Sequence, residues 1–67
     1  MILLIYKIEN MKVTVIISLQ NLYKTDIWIM NVIGVDLNGK KVNITFMTNI
    51  KKLSKSNVYR VFINFPQ

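Results

Sequence analysis

Cysteine and histidine do not occur among the 67 residues, and only Glu9, Asp26 and Asp36 carry carboxylate side chains. Disulfides and thiolate metal sites are therefore excluded, and the commonest general base and metal ligand is missing as well. Hydrolytic chemistry usually needs a nucleophile beside a base, or a cluster of metal-binding carboxylates. Neither is available, so we predict that the protein is not an enzyme and uses no metal and no cofactor.

Alanine is also absent, glutamate occurs once, and β-branched and aromatic residues are plentiful. Strong helix formers are thus scarce, and the composition favours an all-β protein. The hydrophobic fraction of 52% is too high for a disordered tail. A chain of this length forms one small domain, which we place at residues 1–67.

Acidic charge is scarce relative to basic charge: nine Lys and Arg against three Asp and Glu give a net charge of +6. An excess of this kind favours a polyanionic partner such as nucleic acid. The alternative is that the charge only keeps an apolar small barrel in solution.

Long hydrophobic runs are missing too. The longest uncharged run, residues 13–23, is well short of the ~20 residues that a membrane-spanning helix needs. The opening MILLIY has no basic leader and is soon followed by Lys7 and Glu9, so it makes a poor signal peptide. We predict no membrane partner and a cytoplasmic protein. Because Met11 would serve equally well as a start, residues 1–10 are either an extension or an extra N-terminal strand.

Alternation of apolar and polar residues marks the candidate strands, which are residues 2–8, 12–20, 27–37, 40–48 and 57–65. In the last of these, Tyr59, Val61 and Ile63 share one side. The basic segment 49–57 precedes it and is predicted to be a loop or a single helical turn, with Leu53 reaching the core.

The pair Asn38-Gly39 is a strong hairpin signal, because a two-residue type I′ turn needs positive φ at both central positions. That turn places Val35 opposite Val42 and divides the hairpin into two faces. The predicted core face holds Ile29, Ile33, Val35, Leu37, Val42, Ile44 and Phe46. The other face holds Trp28, Met30, Val32, Gly34, Asp36, Lys41, Asn43, Thr45 and Met47.

This second face mixes an aromatic ring, methionines, a lysine and small polar groups, which is unusual for a purely solvated surface. It is either covered by the N-terminal strand or by another subunit, or it is a platform on which bases stack. Gly34, in the middle of a strand, indicates a bulge or a close approach to the backbone.

The segment KKVNITFMTNIKKLSKSNVYRVFI, residues 40–63, is similar to part of the OB-fold single-stranded nucleic-acid-binding domains of the replication protein A-like and archaeal single-stranded-DNA-binding type. In that family a hydrophobic strand leads through a leucine and a tight turn into a strand that resembles Val58-Tyr59-Arg60-Val61. The layout of residues 12–65 also resembles this fold. The resemblance implies a small, partly open, five-stranded Greek-key barrel with a loop or helical turn between strands 4 and 5.

Two features depart from the family pattern. Ser56-Asn57 stands where the family usually has a glycine, although Asn also adopts the left-handed conformation. No strand follows Phe65 in the sequence, so either the barrel is minimal or residues 2–8 supply the missing strand. Supplied from a neighbouring chain, that strand would make a homodimer.

The resemblance implies binding of single-stranded DNA or RNA across the hairpin, with bases stacked on aromatic rings and lysines on phosphates. The predicted binding residues are Trp28, Met30, Lys40, Lys41, Asn43, Thr45, Met47, Lys51, Lys52, Lys55, Arg60 and Phe62. For each the alternative stays open: Trp28 and Phe62 as packing residues, the connector lysines as a solvated loop, and Lys40 and Lys41 as protection of a strand edge.

The sequence is therefore compatible with two functions. The first is non-enzymatic binding of single-stranded nucleic acid with little sequence preference. The second is a homo-oligomeric protein-interaction module, in which the mixed face of the hairpin is the oligomer interface. An inhibitor module, for example of a virus, belongs to the same class. Sm-like and SH3-like barrels fit the length and the short strands as well.

Overall fold

The fold, taken from a computed structural model that describes residues 3–65, consists of four β-strands followed by one α-helix. The elements are β1 (Leu3–Glu9), β2 (Thr14–Asn21), β3 (Ile27–Val35), β4 (Lys41–Asn49) and α1 (Lys55–Asn64). The prediction of a mainly β protein is confirmed in this coarse form. Position 2 of the first candidate strand lies outside the described residues.

The four strands form one antiparallel sheet in the order β1-β2-β3-β4. Connections of four or five residues join consecutive strands, and such short connections place sequential strands side by side. Among the described residues the sheet is an open meander, so the predicted Greek-key connectivity is wrong. β1 is an integral strand of the sheet and pairs with β2 along its whole length.

One face of the sheet, the core face, packs beneath α1. Along β2 the predicted alternation is confirmed: Val15, Ile17 and Leu19 are all buried. The same face is continued on the other strands by Leu4, Tyr6, Ile8, Trp28, Met30, Val32, Val42, Ile44 and Phe46. Val58 and Phe62 of the helix complete this single hydrophobic cluster.

The opposite face, which we call the open face, has no helix on it and is made of four cross-strand rows. From one end of the sheet to the other, the rows are Leu3–Gln20–Ile29–Met47, Ile5–Ser18–Asn31–Thr45, Lys7–Ile16–Ile33–Asn43 and Glu9–Thr14–Val35–Lys41.

The predicted fifth strand over residues 57–65 is wrong, because this segment is the helix α1. Val58 and Phe62, four residues apart, lie on one face of a helix and are both buried against the sheet. Ser54 begins the helix as its N-cap, and Phe65, which precedes Pro66 in the sequence, is extended and ends it. The helix is favoured here because it buries the apolar core face of the sheet. Its period of 3.6 residues places Val58 and Phe62 on the side that contacts this face.

Replacing the N-cap Ser54 with Ala is expected to cost about 1 kcal/mol of folding free energy. The side-chain Oγ of Ser54 accepts the backbone N–H of Asn57 at 3.1 Å, and Ala leaves that N–H without its acceptor. In a domain of this size the loss lowers Tm by roughly 4–8 °C. Thermal melts should show Ser54→Asp, which keeps an acceptor, close to wild type; an equal loss for Asp and Ala would contradict the capping role.

The β3–β4 hairpin is confirmed, but its predicted register is wrong by one residue. Val35 pairs with Lys41, and Gly34 with Val42. Because side chains alternate along a strand, this slip turns β3 over: Trp28, Met30 and Val32 join the core face, and Ile29, Ile33 and Val35 join the open face.

The loop chemistry accounts for the difference in register. Asp36 is buried, and its Oδ1 accepts the backbone N–H groups of Asn38 and Lys40 at 2.8 and 3.0 Å. The backbone of Asp36 also donates to Lys40 O and accepts from Gly39 N–H. Only Gly39 has positive φ in this loop, so the turn is a three-residue loop with a bulge rather than a type I′ turn. Asp36, predicted to lie on the mixed face, instead closes the hairpin.

Gly34 lies where the backbone of β2 comes close to β3. A Cβ at this position would lie 2.1 Å from Thr14 O, and the φ of +144° suits only glycine. The predicted close approach at this glycine is confirmed.

Candidate nucleic-acid interface

The three apolar members of the predicted binding set that were expected to contact bases lie in the core. Trp28 is 8% exposed, Met30 is fully buried, and Phe62 is buried on the side of α1 that packs against the core face. The prediction that Trp28 and Met30 share a face with Lys41, Asn43, Thr45 and Met47 is therefore wrong. These side chains support the fold rather than present a stacking surface.

The four predicted residues on β4 are exposed together on the open face, as expected from their spacing of two: Lys41, Asn43, Thr45 and Met47. Their neighbours on β3 differ from the prediction, because Ile29, Asn31, Ile33 and Val35 occupy the adjacent positions. No aromatic ring lies on this face among the described residues, so its surface is aliphatic and amide-rich.

The predicted cations do not converge on one surface. Lys40 and Lys41 lie at one end of the sheet, where the β1–β2 connection also brings Lys12. Lys51, Lys52 and Lys55 lie at the other end, and Arg60 is exposed on the helix. The predicted set is thus divided between the two ends of the molecule.

Hydrogen bonds hold the second group beside the β2–β3 turn. Ile50 N–H donates to Asp26 O at 2.9 Å, which ties the segment after β4 to the turn that spans residues 22–26. Asn57 Nδ2 donates to Lys52 O at 2.7 Å, which ties the same segment to the start of α1. These hydrogen bonds hold two loops and the start of α1 together. We call the surface that they form the basic end; its residues are Tyr23, Lys24, Lys51, Lys52 and Lys55.

The tip of the β2–β3 turn has an unusual backbone. Tyr23 and Lys24 have φ of 55° and 54°, and two consecutive non-glycine residues in the left-handed region are uncommon. Thr25 N–H and Oγ1 both donate to Leu22 O, and Asn21 Nδ2 donates to Thr25 O, so the surrounding turn is well tied. Positive φ at both central positions, together with the bond from Thr25 N–H to Leu22 O, is typical of a type I′ hairpin turn.

The turn presents an aromatic ring to solvent, since the Tyr23 side chain is 89% exposed. Neither Tyr23 nor Lys24 belongs to the set of binding residues predicted from the sequence. The polar run Gln20-Asn21 before the ring and Thr25-Asp26 after it was the available signal for an exposed turn.

The carboxylates are distributed so that most of the cationic charge stays unneutralised. Glu9 makes an ion pair with Lys7 at 3.4 Å, and Asp36 is occupied by its own loop. At the basic end, Asp26 is one carboxylate beside four lysines. Lysines grouped in this way attract phosphates, and the attraction depends on salt.

Residues 3–65 contain neither a metal-binding group nor a membrane-spanning helix. There, no three His, Cys, Asp or Glu side chains come together in a group that could hold a metal ion. No helix of the described part has both the length and the apolar character to cross a membrane.

No protein-family model, curated protein or solved structure matches the chain. The resemblance to OB-fold domains therefore stays a prediction from the sequence.

Proposed function

We propose that this protein binds single-stranded nucleic acid, DNA or RNA, with little sequence preference and without catalysis. The observation that carries the proposal is the basic end, where an exposed tyrosine ring and four lysines lie on two loops and a helix start that hydrogen bonds join. The site differs from the one predicted from the sequence: Lys51, Lys52 and Lys55 are kept, Tyr23 and Lys24 are added, and the buried Trp28 has no part in it.

The chemistry of the basic end suits an unpaired strand. A base whose faces are free stacks on an exposed ring for about 1–3 kcal/mol, and this gain depends little on which base it is. Lysines flanking the ring neutralise successive phosphates and release counterions. A duplex keeps its bases stacked on each other, so the ring of Tyr23 contributes less to duplex binding.

A titration against salt tests the proposal. A labelled dT oligonucleotide of about 20 nucleotides should bind with a log K versus log salt slope of about −2.8 if four lysines each meet one phosphate. The double variant Lys51→Gln/Lys52→Gln should reduce that slope by about 1.4. Tyr23→Ala should weaken binding roughly 5- to 150-fold at constant salt.

The matched control is Lys12→Gln/Lys40→Gln, which removes the same charge at the opposite end of the sheet. It should leave the slope nearly unchanged. Equal losses for the two double variants would show that only net charge matters, and no binding at about 50 mM salt would overturn the proposal altogether. Circular dichroism of each variant confirms that the fold is kept.

The competing function, protein–protein association, is favoured by a different surface. Its residues lie on the open face and are distinct from those of the basic end.

A further inference from the structure

The open face exposes several large aliphatic side chains, although no other element of the described residues covers it. Ile33 is 52% exposed and Met47 69% exposed, and Leu3, Ile5 and Ile16 are exposed beside them. Ile16 and Ile33 are directly paired between the two central strands, so apolar side chains lie in the middle of the sheet, next to the polar pair Ser18–Asn31. Contiguous apolar patches on small proteins commonly mark interaction sites.

Polar groups at the centre of the open face already bond to each other. Asn31 Nδ2 donates to Thr45 Oγ1 at 2.8 Å and to Ile44 O at 3.2 Å. Both amide hydrogens are satisfied inside the sheet, so covering this face leaves no donor of Asn31 without a partner. The desolvation cost of covering the open face is correspondingly low.

We propose that the open face binds the open face of a second copy of this chain, with the twofold axis parallel to the strands. This inference is independent of nucleic-acid binding, because the basic end and the open face share no residue.

The cross-strand rows select this orientation of the axis. A twofold axis parallel to the strands places β1 over β4 of the second copy and β2 over β3 of the second copy. Each cross-strand row then faces the same row of the second copy. Ile16 then meets Ile33 of the second copy, and Leu3 meets Met47. At the charged end of the sheet, Glu9 meets Lys41 of the second copy.

The other in-plane axis, perpendicular to the strands, gives a poor match. It lays the first row on the fourth, which places Leu3 against Glu9 and Met47 against Lys41 of the second copy. Leu3 would then cover the Lys7–Glu9 ion pair and Met47 would cover Lys41, and burying charge under apolar side chains is costly. Charge complementarity therefore favours the strand-parallel axis, and the symmetry makes the Glu9–Lys41 contact twice.

The area is large enough for a specific dimer. Four strands of seven to nine residues, about 4.8 Å apart and rising about 3.4 Å per residue, form a face of roughly 500 Å². Two such faces bury about 1,000 Å², the size at which specific interfaces begin. The sheets would pack as two aligned layers with aliphatic side chains between them.

Two other modes of association fit this face less well. The homodimer predicted from the sequence used the N-terminal strand, but charged Lys7 and Glu9 on β1 discourage edge-to-edge pairing. Nucleic acid is a poor occupant because the centre of the open face has neither aromatic rings nor cations.

Exchanging the charges of Glu9 and Lys41 tests this dimer. The dissociation constant is measured by sedimentation equilibrium without nucleic acid, from about 5 µM to about 1 mM protein. Glu9→Lys and Lys41→Glu should each weaken the dimer about tenfold, because each brings like charges together at two symmetric contacts. The double variant should return to within about threefold of wild type. Within one chain the two residues are roughly 14 Å apart, beyond the screening length of about 8 Å, so recovery reports contact between chains.

A second pair of variants distinguishes dimerisation through the open face from a general effect of net charge. Ile33→Glu should raise the dissociation constant more than about 100-fold, since it buries two unpaired like charges at the centre. Lys55→Glu, on the helix layer, should leave dimerisation unchanged. A monomer at every concentration, or a dimer indifferent to Ile33→Glu, would overturn the proposal; single losses without recovery in the double variant would overturn the strand-parallel axis.

Discussion

Gly34→Ala is expected to unfold the protein at room temperature. The added Cβ would lie 2.1 Å from Thr14 O and 2.7 Å from Val15 Cα, and both are backbone atoms that move only with the whole of β2. The φ of +144° adds strain for any L side chain. A combined cost above about 4 kcal/mol is comparable with the entire stability of a domain this small, which is roughly 3–5 kcal/mol.

Far-UV circular dichroism and the fluorescence of the buried Trp28 report this loss directly. The control is Gly39→Ala in the β3–β4 loop, where φ is +77° but a Cβ would meet nothing within 4 Å. It should cost only about 1–2 kcal/mol and leave a folded protein. A Gly34→Ala variant that melts within a few degrees of wild type would show that β2 and β3 are not in this close register.

Phe62→Ala is expected to cost about 3–5 kcal/mol, the second largest effect. The side chain is 1% exposed and is among the largest fully buried groups, and it joins α1 to the core face of the sheet. Alanine leaves a cavity between the two layers that a short helix fills poorly, so the helix loses its main attachment.

Trp28 lies in the same cluster, so its fluorescence reports this cost: urea unfolding gives the wild-type stability, and a loss of this size leaves most of the variant unfolded already in buffer. The matched control is Ile63→Ala on the adjacent helix position, where the side chain is 39% exposed and alanine is a good helix former. That variant should lose less than about 1 kcal/mol. Equal losses for Phe62→Ala and Ile63→Ala would mean that α1 does not pack through Phe62.

The strands with one clearly apolar side were predictable from the sequence. In β2, Val15, Ile17 and Leu19 lie on one side, the other side carries Thr14 and Ser18 beside Ile16, and the three apolar residues are buried as expected. In β4, Val42, Ile44 and Phe46 lie on the core face as expected. For these strands only one orientation buries the apolar set, so local pattern and tertiary structure agree.

β3 could not be oriented in the same way, because both of its sides are apolar. Trp28 and Met30 compete with Ile29 and Ile33 for the core, and alternation alone does not choose between them. The choice rests on how the loop closes, and the Asp36 carboxylate that accepts two loop N–H groups selects a three-residue turn over the two-residue turn. One residue of register then decides that Trp28, Met30 and Val32 are buried and that Ile29, Ile33 and Val35 lie on the open face.

The candidate binding surface was predictable only in its charge. An excess of lysine over carboxylate is visible in the sequence, and it indicates a polyanionic partner. The contact between the β2–β3 turn and the segment after β4 is long-range, through Ile50 N–H and Asp26 O, and no local pattern encodes it. Tyr23 becomes an exposed ring beside lysines only once that contact is made.

Residue pattern alone predicts a small, basic, mainly β protein, the approximate positions of β1 to β4, and the burial of β2 and β4. Tertiary structure alone decided three things: that residues 55–64 are helical, which side of β3 is buried, and which loops meet. The first has a simple physical reason. Residues 58–65 present apolar side chains at both strand and helix spacing, and only an uncovered core face favours the helix, whose Val58 and Phe62 reach it together.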